Sequence, residues 1–409
     1  MSLSNLISIL FCIGIASSAL GALYQPTSLG YLAASPGVLL IAFTLLFLPL
    51  CRLSLIGRST LLLLGWGLVV SFVSLVIYGY SPTYVSKMGA LFVLSSIWLA
   101  PLIWGERINL HHLRLGLLGA LIICFIGLLA IDFFPLNQFR DIFFGENFRI
   151  VEHRRVRGFM QETSHFAHII GHAFFLLYLI SRSGRPVLYH DLLVCLMLLA
   201  VLLGLIASRG SAMSVLMALL IATLNRRSAF YLLMITPFIY WAGGEVAKSI
   251  IYDIDNFTST ATRSTLLLTS LDAFFHNPLG YGYYGFYGAL QQFGRIAIEF
   301  VSGQTSFVTT ELLDIVEELN NVSTKTTVFD FGLVFGLPFF ALIWQIVTRI
   351  NLADVRARAA LVYFFLSALT TNGHQSIFFF LGLTVLMRLY PSEMLYAVRR
   401  QNVAKLKNG

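Results

Sequence analysis

Charge is what this sequence has least of. Asp, Glu, Lys and Arg make up 11% of its 409 residues, where globular domains carry about 25%. So little charge excludes a soluble domain with an ordinary solvated surface. Cysteine is scarce as well: Cys12, Cys51, Cys124 and Cys195 all fall in or beside apolar stretches and show no paired spacing. That excludes a disulfide framework and a cysteine-based zinc site, and leaves the four thiols as small hydrophobes. A basic segment is missing ahead of the first apolar stretch, and Ser17 to Tyr24 runs on into the next one. The N-terminus therefore reads as a first span rather than a cleavable leader.

What is there is hydrocarbon. Hydrophobic residues make up 57% of the chain, the mean hydropathy is +0.81, and roughly 20 apolar residues suffice to cross a bilayer. Apolar windows broken by Gly, Pro and charge predict about a dozen helical spans, near 4–23, 31–50, 60–79, 88–104, 115–134, 164–181, 188–207, 211–224, 229–247, 326–348, 359–371 and 376–390. The expected fold is all-α and polytopic, one integral membrane domain over 1–409 with two large outer loops, 135–163 and 248–325.

Lys and Arg in the short loops orient such a chain. With the N-terminus in the cytoplasm, 16 of the 27 basic residues fall on the inner side, among them Arg52, Arg58, Arg107, Arg226, Arg356 and Arg399. An even number of spans puts both termini there. The exceptions are informative: Arg140, Arg149, Arg154, Arg155 and Arg157 crowd into the first outer loop, Arg263 and Arg295 lie in the second, and Arg209 sits at an outer helix junction.

Arg154, Arg155 and Arg157 precede a span. A guanidinium is a planar, permanently charged fork that grips phosphate oxygens in pairs, and a helix N-terminus behind it favours an anion. The same arginines would also suit lipid headgroups, or pairing with Glu152 and Glu162. Glu162 and His165, three residues apart, share a helix face. Either could take a proton from an incoming hydroxyl, and Glu162 could equally be a first-turn acid that complements the helix dipole. His165, His168 and His172 also fall on one side of a helix but lack a carboxylate or thiolate set to complete a metal site. They are expected to line a polar cavity. Arg209, in Ser208-Arg209-Gly210, either faces a cavity or snorkels to the interface. In the second loop, Thr262-Arg263-Ser264 opens an amphipathic stretch through Phe275. It ends in Asn277-Pro278-Leu279-Gly280-Tyr281-Gly282, where Pro and Gly demand a turn. Tyr281, Tyr283, Tyr284, Phe286 and Tyr287 would stack on sugars or lie at headgroup level. A second amphipathic helix is expected from Thr310 to Asn320.

These motifs, in this order, resemble the O-antigen polymerase and ligase superfamily of bacterial inner-membrane glycosyltransferases. The resemblance rests on Arg157-Gly158-Phe159-Met160-Gln161-Glu162-Thr163-Ser164-His165-Phe166-Ala167, on Ser208-Arg209-Gly210, on Arg263 followed by Asn277-Pro278-Leu279-Gly280-Tyr281-Gly282, and on Phe331-Gly332-Leu333-Val334-Phe335-Gly336. Thr163 stands where the family has Pro. The His-Asn pair that ligases carry before the last motif is replaced by Ser323-Thr324-Lys325-Thr326, which tilts the reading from ligase to polymerase. The resemblance implies a C-type glycosyltransferase fold and an inverting transfer needing neither metal nor cofactor. Its donor would be an undecaprenyl diphosphate-linked oligosaccharide and its acceptor a glycan hydroxyl, at a site facing the periplasm. Arg157, Glu162, His165 and Arg263 would be catalytic; Arg154, Arg155, Arg209 and Tyr281 would bind substrate. The lipid bilayer and a chain-length regulator would be partners, nucleic acid would not. A transporter or flippase of lipid-linked sugars is the alternative of a different class. Such proteins show internal repeats and paired broken helices, and no repeat is evident here.

Overall fold

The structure, a computed structural model, describes residues 2–20, 36–134, 158–159, 163–185, 189–206, 209–223, 258–302, 326–370 and 376–392. Among these residues every regular element is a helix, apart from one isolated antiparallel bridge between Ile350 and Pro391. The helices are α1 (Leu3–Ser17), α2 (Pro36–Leu45), α3 (Leu55–Tyr78), α4 (Pro82–Trp104), α5 (Leu110–Gly127), α6 (Thr163–Ser181), α7 (Tyr189–Leu205) and α8 (Arg209–Thr223). They continue with α9 (Thr258–His276), α10 (Gly282–Ser302), α11 (Thr327–Phe335), α12 (Leu337–Val347), α13 (Val355–Thr370) and α14 (Ser376–Leu389). The span expected at 229–247 and the helix expected at Thr310–Asn320 lie outside the described residues.

Among the described residues, four stretches are long and apolar enough to cross a membrane: Leu3–Leu20, α3, α4, and α5 with its continuation to Phe133. Their starts are written in the sequence. Ser54 caps α3 by accepting the Gly57 N–H at 3.1 Å, Asn109 caps α5 through His111 at 2.8 Å, and Pro82 opens α4 where its missing N–H costs nothing.

Helix α3 gathers small and hydroxyl-bearing residues on its inner face, among buried Ile56, Leu63, Leu64 and Val70. Thr60, Gly67, Ser71 and Ser74 point inward, while Leu62, Phe72 and Val76 are 75%, 67% and 85% exposed. Small and hydroxyl residues at the inner contacts and large apolar ones outside suit a hydrocarbon surround, where helices associate by close approach and not by hiding apolar surface from water. Helix α14 is central, packing on α4, α6, α12 and α13. Its Thr384 hydroxyl donates to Pro101 O at 3.1 Å, and Arg388 donates to the carbonyls of Gly105 and Ile108. At the same end, the Arg356 guanidinium bonds Asp354 at 2.9 Å and the Arg182 carbonyl at 3.1 Å.

The second expected loop contributes more to this bundle than an outer cap. Helices α9 and α10 form an antiparallel hairpin, and α10 lies along α3 and α4. The span expected unbroken at 326–348 is two helices, α11 and α12, interrupted at Gly336.

Candidate functional site

The tip of the α9–α10 hairpin, Asn277 to Tyr281, reaches the middle of α3 and there meets the break between α11 and α12. Non-helical backbone this deep must find partners within the protein, and here it does. Tyr281 N–H donates to Leu333 O at 2.7 Å, Leu337 N–H to Pro278 O at 2.8 Å, and Gly280 N–H to Asn277 O at 3.1 Å. The Asn277 amide donates to Gly280 O at 2.7 Å. Trp66, halfway along α3, places one indole N–H between the carbonyls of Leu279 and Phe335, 3.2 Å from each.

The first turn of α10 is capped from another helix. Ser71 Oγ accepts the Tyr283 N–H at 2.7 Å, and Ser74 Oγ donates to Tyr281 O at 2.6 Å. The two backbones come this close because α10 offers glycine at the contact. A Cβ on Gly282 would lie 2.4 Å from Ser71 N, and one on Gly285 would lie 2.4 Å from Ser74 Oγ. Gly280 and Gly336 face each other in the same way, at φ +89° and +64°. The Asn277–Gly282 turn motif and the Phe331–Gly336 motif, more than fifty residues apart, are thus one interlocked crossing point.

The candidate residues fall unevenly on this frame. Arg154, Arg155, Arg157 and Glu162 lie outside the described residues. Arg209 is the first residue of α8. Arg263 is on α9, thirteen residues before its end at His276, so about 20 Å of helix separates it from the crossing point. His165 is half-buried in the first turn of α6. Tyr281 is only 5% exposed and its hydroxyl donates to Ala273 O at 2.8 Å. Tyr283, Tyr284, Phe286 and Tyr287 are likewise buried; they pack the crossing point to α3 and α4.

His168 and His172 do not line an open cavity. Both are 1% exposed, and His172 Nδ1 bonds His168 O at 2.6 Å. The His172 ring stacks on Phe364 at 5.4 Å and neighbours Tyr363 at 5.1 Å. Among the described residues, no group of three or more His, Cys, Asp and Glu side chains could hold a metal ion.

The structure adds residues that the sequence did not draw out. Asp330 is 2% exposed in the first turn of α11, and Lys87 Nζ lies 5.4 Å from the centre of the Tyr287 ring. Tyr84 bonds Gln291 beside them. Asp132, at the end of α5, accepts the Gly158 N–H at 2.8 Å. An isolated acid in or beside an apolar span was the available signal for both Asp132 and Asp330.

No family model matches the chain. It is similar to an uncharacterized 49.5 kDa protein in the cps region of Klebsiella pneumoniae, with 25% identity over 366 residues, covering 82% of this chain and 80% of that protein.

Proposed function

We propose that this chain takes part in polysaccharide biosynthesis as a membrane polymerase of lipid-linked oligosaccharide repeat units. The observation that carries the reading is the cps-region relative, which covers most of both chains and points to capsular or related polysaccharide. The resemblance of the motifs around Arg157, Arg209, Arg263 and Gly336 to the O-antigen polymerase and ligase superfamily narrows it. In this reading the protein sits in a bacterial inner membrane with about twelve spans, both termini cytoplasmic and its site facing the periplasm.

The chemistry follows from the residue types. An acceptor sugar hydroxyl attacks the anomeric carbon of the donor, and the bond from that carbon to the undecaprenyl diphosphate oxygen breaks. The hydroxyl proton goes to Glu162 or His165. Negative charge grows on the departing diphosphate, where Arg157 and Arg263 stabilise it, with Arg154, Arg155 and Arg209 holding further phosphate oxygens. Inversion follows from a single displacement. Ligation to a lipid A-core acceptor is the same chemistry with another nucleophile; Ser323-Thr324-Lys325-Thr326 in place of a His-Asn pair favours the polymerase.

One observation favours a transporter: the broken helix α11–α12 meeting a re-entrant turn, an arrangement that in transporters frames a substrate site. Here the helix ends at the break are satisfied by one another, by Trp66 and by Ser71, and aromatic rings fill the surroundings. We therefore keep the polymerase reading. Deleting the gene in a glycan-producing strain tests it. Surface chains cut to single repeats support a polymerase. Lipid-linked polymer with bare core means a ligase, and unchanged chain lengths with full surface display rule out both.

A further inference from the structure

Helix α5 does not end as a regular α-helix. It continues past Gly127 as a π-helical turn of six residues, Leu128–Phe133, a feature that in helices often marks a functional position. The wider turn carries Asp132, whose Oδ2 accepts the backbone N–H of Gly158 at 2.8 Å. Gly158 follows Arg157 directly in the chain.

The contact is built from several sides. Gly158 has φ +52°, a backbone conformation that glycine adopts without strain, and a Cβ there would lie 2.7 Å from the Phe166 ring. Phe159, 4% exposed, packs with Ala130 and Ile131 of the π turn. It fits because Gly127 has no side chain: a Cβ on Gly127 would lie 2.7 Å from the Phe159 ring and 3.0 Å from its backbone nitrogen. The Gly158-Phe159 pair is therefore gripped by a carboxylate on one side and by an apolar socket on the other.

We propose that Asp132 is a positioning residue for the arginine motif. Its carboxylate holds the Gly158 amide, and Gly158 is the residue that follows Arg157 in the sequence, so the constraint falls on the chain immediately after that arginine. The proposal rests on the polymerase reading of Arg157. A hydrogen bond to a charged group is among the stronger kinds, and misplacing a group that acts in the transition state lowers turnover more than binding.

Full-length protein in detergent or nanodiscs, given a lipid-linked repeat unit as donor, provides the test. Asp132→Ala should lower kcat by roughly 10- to 100-fold while leaving donor KM within about threefold. Asp132→Asn, whose amide oxygen can still accept the Gly158 N–H, should recover most of the loss. Hydrogen exchange in peptides spanning Gly158 needs no glycan; Asp132→Ala should speed it about tenfold or more, and Asp132→Asn should not. Normal kcat in Asp132→Ala, or equal damage from Asp132→Asn, overturns the proposal. If Asp132→Ala does not accumulate, Asp132→Glu must lower kcat more than Asp132→Asn does; the reverse order overturns it. Wild-type protein that extends no glycan removes the polymerase reading instead, and unchanged amide exchange in Asp132→Ala then removes the grip as well.

Discussion

Replacing Gly336 with alanine puts a methyl group into the tightest backbone contact of the crossing point. The added Cβ would lie 2.3 Å from both Pro278 O and Leu279 C, and 2.5 Å from Gly280 N. All three are backbone atoms, so no side chain can swing aside. Gly336 also has φ +64° and ψ −148°, at the edge of a region that residues with a side chain essentially never occupy, at a cost of about 1–3 kcal/mol. Overpacking against fixed atoms adds about 1–3 kcal/mol, so the substitution should destabilise the protein by about 2–6 kcal/mol. Helices α11 and α12 would have to part from the α9–α10 turn, breaking the Leu337 bond to Pro278 and the Tyr281 bond to Leu333. The assay is thermal unfolding of purified protein in detergent, beside two controls. Gly332→Ala places its Cβ 3.3 Å from the flexible Phe340 ring, and Gly65→Ala meets nothing within 4 Å. Both controls should unfold within a few degrees of wild type, and Gly336→Ala far below it. Equal melting of all three would refute the interlocked geometry.

Trp66→Phe keeps an aromatic ring but removes the N–H shared by Leu279 O and Phe335 O, and should cost about 1–3 kcal/mol in the same unfolding assay; an unchanged melting temperature would show that the indole is no clamp. Arg157→Ala and Arg263→Ala should each abolish glycan extension without loss of inserted protein, and Arg→Lys should rescue poorly, because a point charge does not reproduce a bidentate fork. Normal chain-length profiles in both alanine variants would put the diphosphate site elsewhere. Chelators should leave extension by purified protein unchanged; activity lost in EDTA and restored by a divalent ion would replace the arginine mechanism with a metal one.

Most of the helices were legible because each rests on local signals. Apolar runs located α3, α4 and α5, but the helices start at Leu55, Pro82 and Leu110, ahead of the expected 60, 88 and 115, where Ser54, Pro82 and Asn109 set the first turn. The interruption at Gly336 was hidden because Phe331 to Phe340 is apolar throughout, and hydropathy does not register which carbonyl an amide will find. Its cause is tertiary: Leu337 gives its N–H to Pro278 instead of to its own helix. The tyrosine run misled for a related reason. A string of tyrosines in a presumed outer loop suggests an interface, yet Gly282, Gly285 and Gly288 let α10 settle onto Ser71, Ser74 and Tyr78 of α3, which buries the rings between. Ser71, Ser74 and Gly67 form a small-residue stripe visible in advance, but nothing local names the partner that fills it.

On the polymerase reading, the crossing point also bears on how a site at the outer boundary is held steady. Arginines that act on a departing diphosphate must stand at hydrogen-bond distance from it, and a displacement of about 1 Å already weakens catalysis. A loop tethered only at its ends cannot hold such positions. Arg263 is carried by α9, whose lower end is fixed through Asn277, Pro278 and Gly280 to α11 and α12 and through α10 to Ser71 and Ser74. The helix turns its buried end into a foundation and its upper end into a post, about 20 Å long at 1.5 Å per residue. Gly158 has a foundation of a different kind in Asp132 and Gly127. On the polymerase reading, the glycines of the family-like motifs are therefore not themselves reactive. They let backbones approach closely enough for α9 and the Gly158-Phe159 pair to rest on the bundle, and this is why substitutions at Gly336 should be felt first in stability and only through it in chain length.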